Sequence, residues 1–168
     1  MIRPARVDEV ERLRQIEQDA GVAFGEIGLD MVAEAEPLPA THLAAYVAAG
    51  RAWVHVDDDD RPVAYLVADV VDGAAHIEQV SVDPAHAGAG LGRDLIDHAS
   101  AWAGAHGFAE LTLTAFTDVV WNGPYYERLG FRRIPEDRLG PGLAEIRRRE
   151  SAAGLDRWPR SAMVRSLP

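Results

Sequence analysis

Residues 82–92, Val-Asp-Pro-Ala-His-Ala-Gly-Ala-Gly-Leu-Gly, constrain the fold of this chain more than any other stretch. They follow a β-branched run, break at Pro84, become almost entirely glycine and alanine, and lead into a helix-forming segment. A strand, a tight turn and a helix N-terminus are therefore predicted in that order. Small residues let backbone approach a bulky anion, and the first N–H groups of a helix have no partner within it. The stretch thus predicts a cradle for a phosphate or pyrophosphate group.

Two nucleotide-binding motifs do not fit these glycines. A dinucleotide-binding fingerprint requires the spacing G-x-G-x-x-G, but the position three residues after Gly90 is Arg93. A P-loop requires a lysine followed by serine or threonine after its second glycine, and neither is present. A tight glycine turn without a ligand remains the structural alternative.

Composition narrows the class of protein. A chain of 168 residues is long enough to form one domain, residues 1–168, with its own hydrophobic core. It contains no cysteine, which excludes disulfides and a covalent cysteine intermediate. A net charge of −10 opposes binding to nucleic acid or an anionic membrane. With no signal segment and no run near the roughly 18 apolar residues of a membrane span, we expect a cytoplasmic protein.

The hydrophobic pattern predicts a mixed α/β order of elements. Strands are predicted at residues 2–5, 52–56, 63–71, 75–82, 111–116, 131–134 and 161–166. Helices are predicted after a capping box formed by Asp8 and Glu11, from a Thr41 cap to residue 49, at 91–106 and at 122–129. A helical turn is considered at 29–35, and residues 135–159 form an insertion-like excursion with a basic helix near 143–150.

The glycine stretch resembles motif A of the GNAT superfamily of N-acetyltransferases, V-x-P-x-x-(R/Q)-x-x-G-x-(G/A). Val82, Pro84, Gly90 and Gly92 match, whereas Ala87 stands where the family has Arg or Gln. In that family, backbone amides hold the pyrophosphate of acetyl-CoA. The resemblance therefore implies acetyl-CoA as cosubstrate, bound through main-chain N–H groups more than through side chains. The amides implied are those of Gly88, Ala89, Gly90, Leu91, Gly92 and Arg93.

A second segment carries the same resemblance. Residues 121–131 are similar to motif B, in which an aromatic pair, here Tyr125 and Tyr126, is followed after three residues by Gly-Phe. Together with the opening residues, the likeness covers about residues 1–134. It implies a single α/β (α+β) domain with a mixed, mostly antiparallel sheet of six to seven strands flanked by helices. The sheet would be splayed between the strand before motif A and the following strand.

The resemblance also implies roles for individual residues. Tyr126 occupies the position of the tyrosine that commonly protonates the leaving thiolate, and a phenol with a pKa near 10 keeps its proton beside a thiol with a pKa near 8.5. Glu78 lies at the centre of the strand before motif A and is the implied base, acting directly or through water. It shares a face with Val80 and Val82, whose backbone groups are implied to pair with the pantetheine arm.

Each of these assignments has a structural alternative. Tyr126 could pack in the core, and Glu78 could pair with an arginine. His76, on the face of Glu78, is the alternative base or a structural histidine. Asn122 is expected either to cap the helix at 122–129 or to contact CoA. No metal site is predicted. The helix at 91–106 carries one carboxylate and one imidazole a turn apart, but no third ligand accompanies them.

We therefore predict direct transfer of acetyl from acetyl-CoA to a primary amine of a small molecule or peptide, through a ternary complex. The alternatives are a non-catalytic acyl-CoA-binding module, which Ala87 makes reasonable, and an interaction domain without a ligand. Acceptor specificity is expected from the long connections at 21–39 and 135–159. Because relatives are often dimers, a homodimer is an open alternative. We expect five arginines to form ion pairs rather than to contact the acceptor: Arg132, Arg133, Arg147, Arg148 and Arg149.

Overall fold

A computed structural model describes all 168 residues of the chain. The strands are β1 (Ile2–Pro4), β2 (Ala52–Val56), β3 (Pro62–Val71), β4 (Ala74–Val82), β5 (Glu110–Phe116), β6 (Arg132–Ile134) and β7 (Arg160–Ser166). The helices are α1 (Val10–Glu26), α2 (Asp30–Ala33), α3 (Ala40–Ala48), α4 (Leu91–Ala105), α5 (Gly123–Arg128) and α6 (Pro141–Ala152). None of these helices is both long enough and apolar enough to cross a membrane.

The strands form one seven-stranded sheet in the order β1-β2-β3-β4-β5-β7-β6. Antiparallel ladders join β1 to β2, β2 to β3, β5 to β7 and β6 to β7, whereas β4 and β5 pair in parallel. The predicted mixed α/β fold with a mostly antiparallel sheet is confirmed. All seven strands predicted from the hydrophobic pattern are present, and no strand end differs from its predicted position by more than one residue.

The capping box at the start of α1 was misplaced in the sequence prediction. Asp8 and Glu11 were expected to form it, but Glu9 accepts a hydrogen bond from the N–H of Arg6 (2.8 Å). The carboxylate of Glu9 also binds the guanidinium of Arg3 (2.6 Å). This ion pair orients the Glu9 side chain toward the turn that precedes α1. A short 3-10 turn therefore precedes α1, and the helix begins at Val10.

The region at 21–39 is more helical than its sequence suggests. α1 continues to Glu26, and α2 adds a single turn at Asp30–Ala33. The predicted Thr41 cap is wrong, since α3 begins at Ala40 with Pro39 at the N-cap position. Proline has a fixed φ and no N–H that needs an acceptor, so it is well suited to the position just before the first helical turn.

One compact unit contains residues 1–69 and 78–99. Its core is formed by α1 and α3 against β2 and β3, and it includes Val10, Leu13, Ile16, Leu43, Val54, Tyr65 and Val67. The guanidinium of Arg12 on α1 binds the carboxylate of Asp83 (2.6 Å), which also accepts the N–H of Ala85 (3.0 Å). This pair ties α1 to the beginning of the glycine-rich loop.

A second compact unit contains residues 70–77 and 100–168. The predicted excursion at 135–159 is ordered within it, and its helix is longer than expected, running over Pro141–Ala152. The carboxylate of Asp72 accepts the N–H groups of Gly142 (2.7 Å) and Leu143 (2.9 Å). Because the first N–H groups of a helix have no intrahelical acceptor, this carboxylate supplies the partners that α6 lacks.

Candidate active site

The glycine-rich segment forms an exposed loop that leads into α4. The N–H groups from Gly88 to Arg93 have no acceptor within the protein, and the first bond of the helix is donated by Asp94 to the carbonyl of Gly90 (3.0 Å). The backbone has positive φ at Gly88 (79°) and Gly90 (81°), and a Cβ at either would meet no atom within 4 Å. Unpaired donors in open space at the positive end of a 15-residue helix are suited to bind an anion.

Side chains add little to this loop. Ala87 is exposed and its backbone is extended. Arg93 is 68% exposed, and its Nε lies 3.8 Å from Oδ2 of Asp97 one turn later, a weak surface pair. The Nδ1 atom of His86 is buried without a partner. The anion-binding capacity of the loop therefore rests on the backbone amides.

The strand before the loop brings Glu78 toward α3. Burial and the charge of Glu78 both raise the pKa of Tyr46 well above its ordinary value, which places this carboxylate near that phenol. Tyr46 Oη donates to Asp69 Oδ2 (3.4 Å), and Arg51 Nη2 lies 3.9 Å from Asp69 Oδ1. Glu78 itself is exposed, as its assigned role as a base requires. Sequence reasoning missed Tyr46, although Asp69, a carboxylate in an otherwise apolar strand, was a usable signal.

His76 and Glu78 occupy very different environments on β4. The side chain of His76 is 2% exposed, and its Nδ1 lies 2.8 Å from Oγ1 of Thr112. A buried imidazole with a partner of this kind is typical of a structural histidine. Of the two bases considered, only Glu78 reaches the surface, while Val80 and Val82 further along the strand are half-buried.

A tight turn connects β3 and β4. The two-residue connection Asp72–Gly73 has positive φ at both positions (52° and 73°), which is the turn that pairs the residues on either side of it. Just after the end of β4, the N–H of Asp83 donates to the carbonyl of Val63 (2.8 Å).

In the second unit, α5 carries Tyr126 in a mostly buried position. Its ring is 9% exposed and packs edge to face against Tyr125 (5.4 Å) and Phe131 (5.9 Å). Burial, reinforced by Tyr125 and partly opposed by the charge of Arg160, raises the pKa of Tyr126 well above its ordinary value. The phenol therefore keeps its proton at neutral pH, which is the state required of a general acid.

Asn122 lies at the N-cap position of α5, but its side chain makes no capping hydrogen bond. Of its two expected roles, the helix cap is therefore not observed. Its Oδ1 instead accepts the N–H of Phe116 at the end of β5 (2.6 Å), while its carbonyl accepts the N–H of Tyr126 (3.0 Å). The next residue, Gly123, sits so close to β5 that a Cβ would lie 2.8 Å from both Phe116 O and Thr117 Cα. Asn122 and Gly123 together dock α5 on the end of β5.

Replacing Gly123 by alanine should lower the free energy of unfolding by about 2–3 kcal/mol, because backbone cannot move away from the added methyl group without displacing α5. Urea denaturation followed by circular dichroism measures this. Gly104→Ala is the matched control, since a Cβ there meets nothing within 4 Å and alanine is the better helix former. Equal stability of the two variants would contradict the close approach of α5 to β5.

The family of the chain follows from comparison with known proteins. A family model described as the acetyltransferase (GNAT) family matches residues 11–131, well over half of the chain. The chain belongs to the GNAT family. The matched region includes both segments on which the resemblance rested, and solved structures similar to this GNAT chain share its fold.

Three solved structures illustrate that likeness. N-acetylglutamate synthase from Neisseria gonorrhoeae, complexed with coenzyme A and N-acetylglutamate, is 17% identical to this chain with a TM-score of 0.73. The alignment covers 100% of this chain but only 35% of the synthase chain. Rv2747 from Mycobacterium tuberculosis, in complex with CoA, is 19% identical with a TM-score of 0.74 over 100% and 99% of the two chains. The ribosomal-protein-S18-alanine N-acetyltransferase from Escherichia coli is 19% identical with a TM-score of 0.70 over 99% and 93%.

Both compact units of this GNAT protein contain predicted site residues. The first holds Glu78, Val80, Val82 and the loop at 88–93, and the second holds Tyr126 and Asn122. No group of three or more His, Asp or Glu side chains is arranged to hold a metal ion.

The five arginines that we expected to form ion pairs differ in their contacts. Arg147 binds three carboxylates, Arg148 and Arg149 bind Glu145, and Arg133 binds Glu127. Arg132 donates instead to the hydroxyl of Ser166 (3.4 Å). The expectation of ion pairs is thus met at four of the five positions.

Proposed function

We propose that this protein transfers acetyl from acetyl-CoA directly to a primary amine of a small molecule or peptide. The observation that carries the proposal is the set of unpaired N–H groups from Gly88 to Arg93, which can bind the pyrophosphate of CoA without the arginine or glutamine that Ala87 replaces. Membership of the GNAT family supports the reaction class. CoA is present in the complexes of the Neisseria and mycobacterial proteins.

Binding of the cosubstrate would use three sets of groups. The loop amides hold the pyrophosphate, and backbone groups of β4 at Val80 and Val82 pair with the pantetheine arm. Asn122 uses its oxygen for Phe116, but its amide nitrogen has no protein partner and keeps two donors for CoA.

The chemical step requires a neutral amine, a polarised thioester and a protonated leaving group. Glu78 accepts a proton from the ammonium, directly or through water. The amine nitrogen then attacks the thioester carbonyl carbon, the C–S bond breaks, and Tyr126 donates its proton to the departing thiolate. The nitrogen loses its second proton as the amide forms; this proton returns through water to the Tyr126 phenolate, and Glu78 releases its own proton to solvent. Because the chain has no cysteine to form an acyl-enzyme intermediate, both substrates are bound together when transfer occurs.

The binding part of the proposal is tested by titrating the protein with acetyl-CoA in a calorimeter. Gly90→Ala should weaken binding by at least about tenfold, because the methyl group enters the space reserved for the anion. Gly50→Ala is the matched control: Gly50 also has positive φ (70°) and open surroundings, so alanine there strains the backbone equally but lies outside the loop. Absence of acetyl-CoA binding by the unmodified protein would overturn the proposal.

The catalytic part is tested by release of free CoA with a panel of primary amines, including amino acids, polyamines and peptides with a free N-terminus. Turnover with any of them, dependent on Glu78 and Tyr126, supports direct acetyl transfer. Binding of acetyl-CoA without turnover across the whole panel would favour the alternative of a non-catalytic acyl-CoA-binding module.

A further inference from the structure

A buried ionic network connects α6 with two strands of the second unit. One oxygen of Glu150 accepts hydrogen bonds from Arg160 Nη2 and from Thr114 Oγ1, both at 2.7 Å, and the other accepts Arg147 Nη1 (2.9 Å). The side chains of Arg147 and Arg160 are only 9% and 8% exposed. α6 lies in the excursion at 135–159, which the family resemblance did not explain, so the network gives this segment a first structural role.

Contacts continue from this network to the helix of the candidate acid. Arg160 on β7 is the register partner of Phe116 on β5, and its guanidinium carbon lies 4.1 Å from the centre of the Phe116 ring. The N–H of Phe116 donates to Asn122, and the carbonyl of Asn122 accepts the N–H of Tyr126. Glu150 is therefore linked to Tyr126 through Arg160, Phe116 and Asn122, each step a defined contact.

Stability alone does not account for Arg160. Ion pairs buried in a protein generally contribute no more than apolar side chains of similar volume, because both charges must be removed from water. Arg160 also leaves its Nε buried without an acceptor, which is unfavourable. What such a group does provide is a fixed orientation, since the planar guanidinium is held by Glu150 and Thr114 at its edge and by the Phe116 ring on its face.

We propose that Arg160, held by Glu150 from α6, is a positioning residue for Tyr126. It keeps the end of β5 and the docked α5 in the arrangement that directs the Tyr126 hydroxyl toward the leaving sulfur. The excursion at 135–159 then serves the chemical step in addition to any contact with the acceptor. The charge of Arg160 opposes the effect of burial on the pKa of Tyr126, which is consistent with the two side chains lying near each other. The inference rests on the proposed function, because it takes Tyr126 to be the acid.

The test compares Arg160→Met and Arg160→Lys with Arg148→Met, which removes the same charge from an exposed position on α6. Arg160→Met should lower kcat by about tenfold to a hundredfold with little change in KM for acetyl-CoA, because the acid is present but misplaced. Arg160→Lys keeps the charge and the contact with Glu150, so kcat should recover in part. Arg148→Met should behave as the unmodified protein.

A readout that does not need turnover separates this inference from the proposed function. In protein labelled with 3-fluorotyrosine, the ¹⁹F resonance of residue 126 is assigned by its loss in Tyr126→Phe. Arg160→Met should shift or broaden that resonance and leave the resonance of residue 65 unchanged. If the unmodified protein transfers no acetyl group, the proposed function fails and the ¹⁹F result alone decides on positioning.

Three results would overturn the inference. An unchanged ¹⁹F resonance in Arg160→Met is one, and unchanged kcat with a raised KM for the amine is another, because that pattern describes an acceptor contact. Should Arg160→Met fail to fold, Arg160→Lys takes its place. A lysine variant with full kcat and an unaltered ¹⁹F spectrum would then show that the planar guanidinium of Arg160 is not needed to position Tyr126.

Discussion

Replacing Tyr126 by phenylalanine should lower kcat for acetyl transfer by about 10²- to 10⁴-fold while the affinity for acetyl-CoA stays within about twofold. The ring packs against Tyr125 and Phe131, and phenylalanine keeps those contacts. Only the hydroxyl is lost, and with it the proton that the proposed mechanism gives to the thiolate. Since burial raises the pKa of Tyr126, the unmodified phenol is protonated throughout the neutral range and its removal affects the whole population of enzyme.

Tyr125→Phe provides the control for this experiment, because it removes a hydroxyl from the adjacent residue of the same helix, where the side chain is half-buried. Its kcat should equal that of the unmodified protein. Stopped-flow or steady-state release of CoA gives kcat, and calorimetry gives the affinity. A Tyr126→Phe variant with unchanged turnover would remove this residue from the mechanism, and a parallel loss in both variants would point to packing of α5 as the cause.

The parts of the site that sequence could predict are those set by neighbours along the chain. The glycine-rich loop needs only a strand end, small residues and a helix start, all within residues 82–94, and the structure has its donors unpaired as expected. Tyr126 is placed by a short helix that ends at Arg128, shortly before Gly130, where φ is +93°. Local geometry of this kind follows from backbone preferences that act over a few residues.

The parts that sequence missed depend on contacts between distant segments. Asn122 was expected either to cap its own helix or to contact CoA, but the N–H of Phe116 at the end of β5 takes the side-chain oxygen that a cap would use and holds it at 2.6 Å. Glu9 rather than Glu11 completes the capping box because Arg3, on the preceding strand, binds its carboxylate. Tyr46 comes near Glu78 only when α3 packs on the sheet. The hydrophobic periodicity of the sequence does not indicate these contacts.

The same limit applies to the excursion at 135–159. Its arginines were expected to pair with carboxylates, and Arg147 does so with Glu136, Glu150 and Asp156. What could not be foreseen is that Glu150 would be enclosed between α6 and two strands, since this requires the register of β5 against β7 that sets Phe116 opposite Arg160. This buried ionic network is thus a product of tertiary structure.

Glu150→Ala should lower the free energy of unfolding by about 3–5 kcal/mol at pH 7, the largest stability loss we expect from a single substitution outside the apolar core. Removing this carboxylate leaves Arg160 with only the hydroxyl of Thr114 as a hydrogen-bond partner, and it takes one of three carboxylates from Arg147. Both guanidinium groups stay buried. Glu145→Ala removes the same charge from an exposed position of α6, and its unfolding should match that of the unmodified protein.

The contribution of Glu150 should also depend on pH in a defined direction. Burial opposes ionisation of this carboxyl, but the charge of Arg160 and hydrogen bonds from Thr114, Arg147 and Arg160 outweigh it, so its pKa is lowered in the folded protein. A carboxyl whose folded pKa lies below the unfolded value of about 4.3 stabilises the fold fully above that pH and loses its contribution as pH falls through the folded pKa. Urea denaturation of the unmodified protein and Glu150→Gln should therefore show a constant difference between pH 6 and 8 that shrinks below about pH 4. A difference that did not change with pH would mean that the side chain acts through its shape, and that the two arginines do not require its charge.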